Sequence, residues 1–141
     1  MSAERPRLRY FTPREANQLL PELARLMEEA THRAQRFQEI MGAVRGGATP
    51  EGQNRQAAVR EAEQLRREAR GMLEEISRHG VEVKGLEQGL LDFPAMRHGQ
   101  EVLLCWRRGE PSVAWWHPLK TGFAGRQPLD PDDEAPWVWY N

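Results

Sequence analysis

This sequence has a single cysteine, no long apolar run and almost no net charge. Each of these shortages excludes a class of protein. Cys105 is the only cysteine in 141 residues, which excludes an internal disulfide framework and any zinc site built from several cysteines. No apolar run approaches the roughly 20 residues that a membrane helix needs, and the residues after Met1 lack the apolar core of a signal peptide. We therefore expect a soluble, cytoplasmic protein that makes no membrane contact.

Positive and negative charges almost cancel along the chain. The 20 Lys+Arg and 21 Asp+Glu residues leave a formal net charge of -1. Because the protein has no overall positive field to attract a polyanion, we expect no nucleic-acid partner.

The sequence changes character near His79. Before it, apolar residues recur at helical spacing; after it lie all five tryptophans, in short alternating runs typical of strands. This division predicts a single α+β domain over residues 1–141. Its first part, 10–79, would be a long antiparallel helical hairpin. The second, 80–141, would be a small three-stranded antiparallel β-meander with an irregular C-terminal tail.

The start of the first helix is marked by Thr12-Pro13-Arg14-Glu15. This run combines a hydroxyl N-cap, a proline at the first helical position and a Glu that can bond back to the cap. A proline inside a helix removes a hydrogen bond, so Pro21 predicts a kink or a short break. Residues 45–52, with three glycines and a proline, predict the turn between the helices.

The second helix has apolar residues in steps of four and three, the pattern of a coiled-coil seam. They are Ala58, Ala62, Leu65, Ala69, Met72 and Ile76, and Gly80 follows as the stop. The two helices are longer than a small sheet can cover, so we expect a homodimer that forms through the hairpin. The alternative is a solvated monomeric hairpin.

Three strands are expected in the second half, over residues 89–94, 100–107 and 112–117. A tight turn between the last two would place Leu104 opposite Trp115, with both side chains facing the helices. Cys105 and Trp116 would then share the opposite face with Asp92. In this register His117 lies on the helix side, away from Cys105.

The polar residues among these aromatic runs are the candidates for a site. Asp92, Glu101 and His117 are possible ligands of a divalent metal, with Arg126 holding an anion beside it. Cys105 is left out of the metal set because it falls on the other face from His117. Without a metal, a ligand-binding surface would instead comprise Asp92, Cys105, Trp116 and Arg126.

Each candidate also has a purely structural interpretation. His117 fits a hydrogen-bonded histidine at a strand end, Cys105 a small buried apolar residue, and Asp92 with Arg126 an ion pair. The apolar tail Trp137-Val138-Trp139-Tyr140 should dock, in its own chain or in a partner.

A set of short motifs in the sequence occurs together in one protein family. The motifs are Phe11-Thr12, Glu15-Ala16-Asn17, Leu20-Pro21, Gly89-Leu90-Leu91-Asp92-Phe93-Pro94, Leu104-Cys105-Trp106, Gly109-Glu110, Trp116-His117 and Gly122-Phe123-Ala124-Gly125-Arg126. Through them the chain, over about residues 10–128, resembles a family of small bacterial and archaeal proteins catalogued as a domain of unknown function. The resemblance implies a shared fold and brings with it no established activity, cofactor or catalytic residue.

Two functions are consistent with these residues. The first is a dimeric module that binds a small molecule or protein partner, or serves in assembly, because the expected surface is largely apolar with few polar groups. The alternative is a metal-dependent enzyme, such as a hydrolase, with Asp92, Glu101 and His117 as ligands.

Overall fold

Two helices come first in the chain and an antiparallel sheet follows, so the expected α+β class is confirmed. The computed structural model describes residues 9–50, 52–130 and 134–137. The helices are α1 (Pro13–Arg45) and α2 (Arg55–Arg78), and the strands are β1 (Glu82–Gly85), β2 (Leu90–Arg97), β3 (Gln100–Arg107), β4 (Trp115–Pro118) and β5 (Gln127–Pro128). Among the described residues, no helix is both long enough and apolar enough to cross a membrane.

Over the described residues the sheet has five strands in the order β1-β2-β3-β4-β5, and the expected count of three is wrong. The two additional strands are the outer ones, four and two residues long. Such short segments contain too little alternation to be recognised in a sequence. They extend the meander on both sides without changing its topology.

Helix α1 begins at the capping box that the sequence predicts and runs without interruption to Arg45. The Thr12 hydroxyl accepts a hydrogen bond from the Glu15 backbone N–H, and the Glu15 carboxylate accepts one from the Thr12 N–H. The helix then runs without a break through Pro21, so the expected break is wrong. Because Pro21 lies on the exposed side of the helix, the carbonyl that loses its partner there can be hydrated.

The helices cover one face of the sheet. Every second residue of β2 and β3 points toward them and belongs to the same buried cluster as Leu23 and Ile76 of the hairpin. These strand residues are Leu91, Phe93, Ala95, Val102, Leu104 and Trp106. Trp106 is 3% exposed, so the predicted orientation of β3 is confirmed.

Strand β2 does not end at Pro94, as the sequence suggested, but continues to Arg97. The backbone N–H of Phe11 donates to the Pro94 carbonyl at 2.7 Å. In a strand, the backbone nitrogen and the carbonyl of one residue point to the same edge. The nitrogen of Pro94, which carries no hydrogen, therefore lies at the edge that faces Phe11 and not at the edge that pairs with β3. Pairing with β1 reaches only Asp92, so the proline removes no ladder hydrogen bond.

The pairing of β3 with β4 is shifted by one residue from the expected register. Leu104 lies opposite Trp116, and Cys105 lies opposite Trp115. Val113 is bound instead by Asn17 of α1, whose side chain accepts from its backbone N–H and donates to its carbonyl, while Glu110 binds the Arg107 backbone at the end of β3. Residues before Trp115 are thereby held out of the ladder, and every side chain of β4 changes face.

Candidate metal centre

The corrected register brings three chemically reactive side chains together on the face of the sheet opposite the helices. Asp92 pairs with Cys105 across β2 and β3, and His117 lies opposite Leu103, the next residue on that face of β3. One donor atom from each of the three side chains lies within 4.8 Å of the other two. Asp92, Cys105 and His117 are 4%, 1% and 2% exposed, so bulk water does not screen them.

The orientation of the His117 ring follows from its backbone contact. Nδ1 lies 2.8 Å from the carbonyl oxygen of Pro118. A carbonyl only accepts hydrogen bonds, so Nδ1 carries the hydrogen and donates it. In a neutral imidazole, Nε2 is then the unprotonated nitrogen and points its lone pair into the cluster.

That lone pair faces a second acceptor. Nε2 of His117 lies 3.3 Å from Oδ1 of Asp92. A lone pair and a carboxylate oxygen repel at this distance unless a proton or a cation lies between them. The cluster therefore needs one positive charge, which either a shared proton or a metal ion would supply.

Burial acts on the other two groups in the direction that favours their neutral forms. Removal from water raises the pKa of Asp92, while His117 and then Lys84 act in the opposite direction. Burial raises the pKa of Cys105 to about 12, and the Asp92 charge adds to this effect. The metal-free thiol is therefore protonated at neutral pH and is a poor nucleophile.

The chemical identity of the three donors suits a borderline metal ion such as Zn²⁺. Carboxylate oxygen, thiolate sulfur and imidazole nitrogen are all zinc ligands. A ligating histidine usually donates its other N–H to a carbonyl or carboxylate, as His117 does to Pro118. A metal that replaced the proton of Cys105 would remove the burial penalty of a free thiolate, because the ion itself would balance the charge.

An ion pair between Glu110 and Arg126 holds the loops beside the centre. The Arg126 Nη atoms donate to the two Glu110 carboxylate oxygens at 2.8 and 2.7 Å, and Nη2 also donates to the Cys105 carbonyl at 3.3 Å. Glu110 accepts a third bond, from the backbone N–H of Arg107. Burial opposes the ionisation of Glu110, but the bonds from Arg126 and from this N–H outweigh it and lower the pKa.

The comparison with known families confirms the resemblance seen in the motifs. A family model described as Uncharacterized conserved protein (DUF2203) matches residues 9–129. The chain belongs to this family. The match contains Asp92, Cys105 and His117 together with the Glu110–Arg126 pair. Searches of the curated proteins and of the solved structures gave no match.

The structure of this DUF2203 protein separates the residues that the sequence grouped as metal ligands. Asp92 and His117 are in contact, whereas Glu101 lies four residues along β3 from Cys105, about 13 Å away. The Glu101 carboxylate accepts a hydrogen bond from the Tyr10 hydroxyl. The expectation that Cys105 and His117 occupy opposite faces is wrong, because the Asn17 contact shifts β4.

The same shift changes the expected ligand-binding surface of this DUF2203 chain. Trp116 points to the helix side, where Arg97 lies 4.4 Å above its ring and Trp137 packs edge-on at 6.4 Å. Arg126 remains on the outer side, but its ionic partner is Glu110 and not Asp92. Trp137 is buried, so the tail docks at this residue; residues 138–141 lie outside the described part of the chain.

Two residues that position the DUF2203 site were not recognised in the sequence. In the sequence, Glu110 and Asn17 stand out only as members of the family motifs. Both act across long sequence separations, 16 residues to Arg126 and 96 to Val113. No local pattern in the sequence reports such a contact.

Proposed function

We propose that this protein binds one divalent transition metal, with Zn²⁺ as the reference ion, through Asp92, Cys105 and His117. The observation that supports the proposal is the position of His117 Nε2, which faces the Asp92 carboxylate at 3.3 Å while Nδ1 is held by the Pro118 carbonyl. A metal ion satisfies both groups and takes the Cys105 thiolate as its third ligand.

The number of donors distinguishes two roles for such a metal. Structural zinc sites have four protein ligands, whereas catalytic sites have three and an open position for water or substrate. Within the described residues, the cluster has three donor side chains, those of Asp92, Cys105 and His117. This count favours chemistry at the metal, with hydrolysis by a metal-bound water as the candidate reaction class.

Titration of metal-free protein with Co²⁺ tests the metal proposal. We expect one equivalent to bind, with a strong thiolate-to-cobalt absorption in the near ultraviolet and visible bands of tetrahedral cobalt. Cys105→Ser should abolish the thiolate absorption. Asp92→Asn and His117→Ala should each weaken binding by at least about a hundredfold, since losing a ligand costs more than losing one of its supporting contacts.

Two matched variants control this experiment. Glu101→Gln removes a carboxylate from the strand and the face that carry Cys105, and His32→Ala removes an exposed histidine from α1. Both should bind Co²⁺ as the wild type does. The metal proposal is wrong if folded wild-type protein binds no stoichiometric Co²⁺, or if Glu101→Gln weakens binding as much as Asp92→Asn. Circular dichroism on each variant shows that it is folded.

We also propose that the hairpin pairs with a second copy of the chain, in a coiled-coil-like bundle. Helix α1 has 33 residues and is about 50 Å long. The end of the hairpin farthest from the sheet contains a second apolar cluster, formed by both helices and separate from the core beneath the sheet. The cluster comprises Ile40, Val44, Ala58 and Ala62, with Phe37, Met41, Val59 and Leu65 half-buried around it.

Sedimentation equilibrium tests the dimer. Wild-type protein should sediment near twice the 16.3 kDa mass of one chain, and Leu65→Glu should shift it to the monomer because it places a charge on the paired surface. The matched control Arg66→Glu changes the charge of the next residue, which is exposed. A wild-type mass of one chain at micromolar concentration would contradict this proposal.

A further inference from the structure

A small groove lies beside the Asp92–Cys105 pair on the same face of the sheet. Its walls are Gln88, Leu90, Arg107 and Phe123, and its volume is about 150 Å³. Leu90 pairs with Arg107 across β2 and β3. Because same-face residues repeat every second position, this pair is about 7 Å from the Asp92–Cys105 pair.

The groove contains polar groups that the fold leaves available. Arg126 is paired with Glu110, and Arg108 lies near Glu28. The Arg107 charge acts on the Glu110 carboxylate and lowers its pKa, but within the described residues no ion pair joins the Arg107 guanidinium to a carboxylate. Its ring contact is with Phe123, at 5.7 Å. The side-chain amide of Gln88 likewise has no hydrogen-bond partner in the described part of the chain, so it can donate to a ligand.

The opposite side of the groove is apolar and is held in place. Phe123 is 40% exposed, so part of its ring is open to a ligand. Its ring lies 4.5 Å from the Arg126 guanidinium, which Glu110 fixes with two hydrogen bonds. The wall is therefore preformed, and with Leu90 it can cover the apolar part of a ligand.

From these contacts we infer that the groove binds a small monocarboxylate with a short apolar tail. The planar guanidinium of Arg107 matches a carboxylate with two parallel hydrogen bonds. One arginine and one amide balance a single negative charge, whereas a phosphate dianion would leave a charge uncompensated. The inference goes beyond the metal proposal and does not depend on it, because no atom of the metal cluster holds the carboxylate.

Titration followed by NMR, with butyrate, acetate and inorganic phosphate at constant ionic strength, tests the groove. The measurement uses full-length ¹⁵N-labelled protein, both metal-free and loaded with zinc. Butyrate should give saturable shifts centred on Gln88–Leu90, Arg107 and Phe123. Acetate should bind about fifteenfold more weakly, since it lacks two methylenes that the walls would bury at about 0.8 kcal/mol each, and phosphate should bind more weakly than butyrate.

Arg107→Gln should weaken butyrate binding at least tenfold, and Arg70→Gln, which removes the same charge from an exposed position on α2, should leave it unchanged. Saturable, Arg107-dependent binding in either metal state supports the groove. The proposed carboxylate site is wrong if butyrate binding does not saturate in either metal state, or if Arg107→Gln leaves that binding unchanged. It is also wrong if phosphate binds more tightly than butyrate. Failure of the groove and failure of the metal centre are distinguishable, because Co²⁺ absorption reports only on Asp92, Cys105 and His117.

Discussion

Replacing Trp106 with alanine should lower the free energy of unfolding by about 3–5 kcal/mol, the range for removal of a large buried aromatic side chain. The Trp106 ring is 3% exposed and packs in the cluster between the sheet and the helices. Its indole N–H also donates to the Glu110 carbonyl at 3.0 Å, so the variant leaves that carbonyl without its partner. Urea denaturation of both proteins at the same pH measures the difference in the free energy of unfolding. The dependence of that free energy on urea concentration should have the same slope in both proteins.

Trp115→Ala is the matched control, because it removes the same side chain from the opposite face of the sheet. Trp115 is half-buried, and its ring stacks on the Arg126 guanidinium at 5.0 Å. Its replacement should therefore destabilise the protein by at least about 1.5 kcal/mol less than Trp106→Ala does. The reverse order would mean that Trp115 and not Trp106 faces the helices, which contradicts the register observed here.

Metal-free protein should lose stability at alkaline pH through Cys105. Burial raises the pKa of this thiol from 9.0 to about 12 in the folded state. The thiol of the unfolded chain ionises near pH 9, whereas the buried thiol of the folded chain keeps its proton up to about pH 12. Between these two values the unfolded state gains the stability of ionisation and the folded state does not, so the free energy of unfolding falls as the pH rises. At about pH 11 the loss should be roughly 3 kcal/mol relative to pH 8, at close to 1.4 kcal/mol for each pH unit.

The variant Cys105→Ala separates this effect from the titration of lysines and tyrosines, which both proteins share. The difference in unfolding free energy between wild type and variant should shrink between about pH 9 and pH 11 in the metal-free state. In zinc-loaded protein the same difference should stay constant, because the metal already holds the thiolate. A pH-independent difference in the metal-free state would show that Cys105 ionises equally in the folded and unfolded chains.

The helices could be predicted well from the sequence because their signals are local. The capping box at Thr12 and Glu15 and the stop at Gly80 each depend on neighbouring residues. The orientation of β3 was also predictable, because the face with Val102, Leu104 and Trp106 is more apolar as a whole than the face with Glu101, Leu103, Cys105 and Arg107. The continuation of β2 through Pro94 was not, because it depends on the backbone of Phe11.

The candidate site could be predicted from residue types but not from their arrangement. Asp92 and His117 are recognisable as metal-binding types, and the structure places them in contact. The predicted register, with a tight turn after Arg107, placed His117 on the opposite face from both Asp92 and Cys105. The actual connection is longer because Asn17 takes both backbone groups of Val113, a contact that the sequence cannot reveal.

The contact between Asn17 and Val113 has a consequence for how the protein folds. It closes a loop of 96 residues, so its entropic penalty is larger than that of any hairpin within the sheet. The alternative alignment of β3 and β4 would keep Val113 in the ladder, so we expect docking of the helical hairpin, which brings Asn17 to Val113, to favour the alignment that assembles the cysteine with the histidine. A fragment without the hairpin should accordingly sample both alignments, and in the whole chain the cluster should form at the last step of folding.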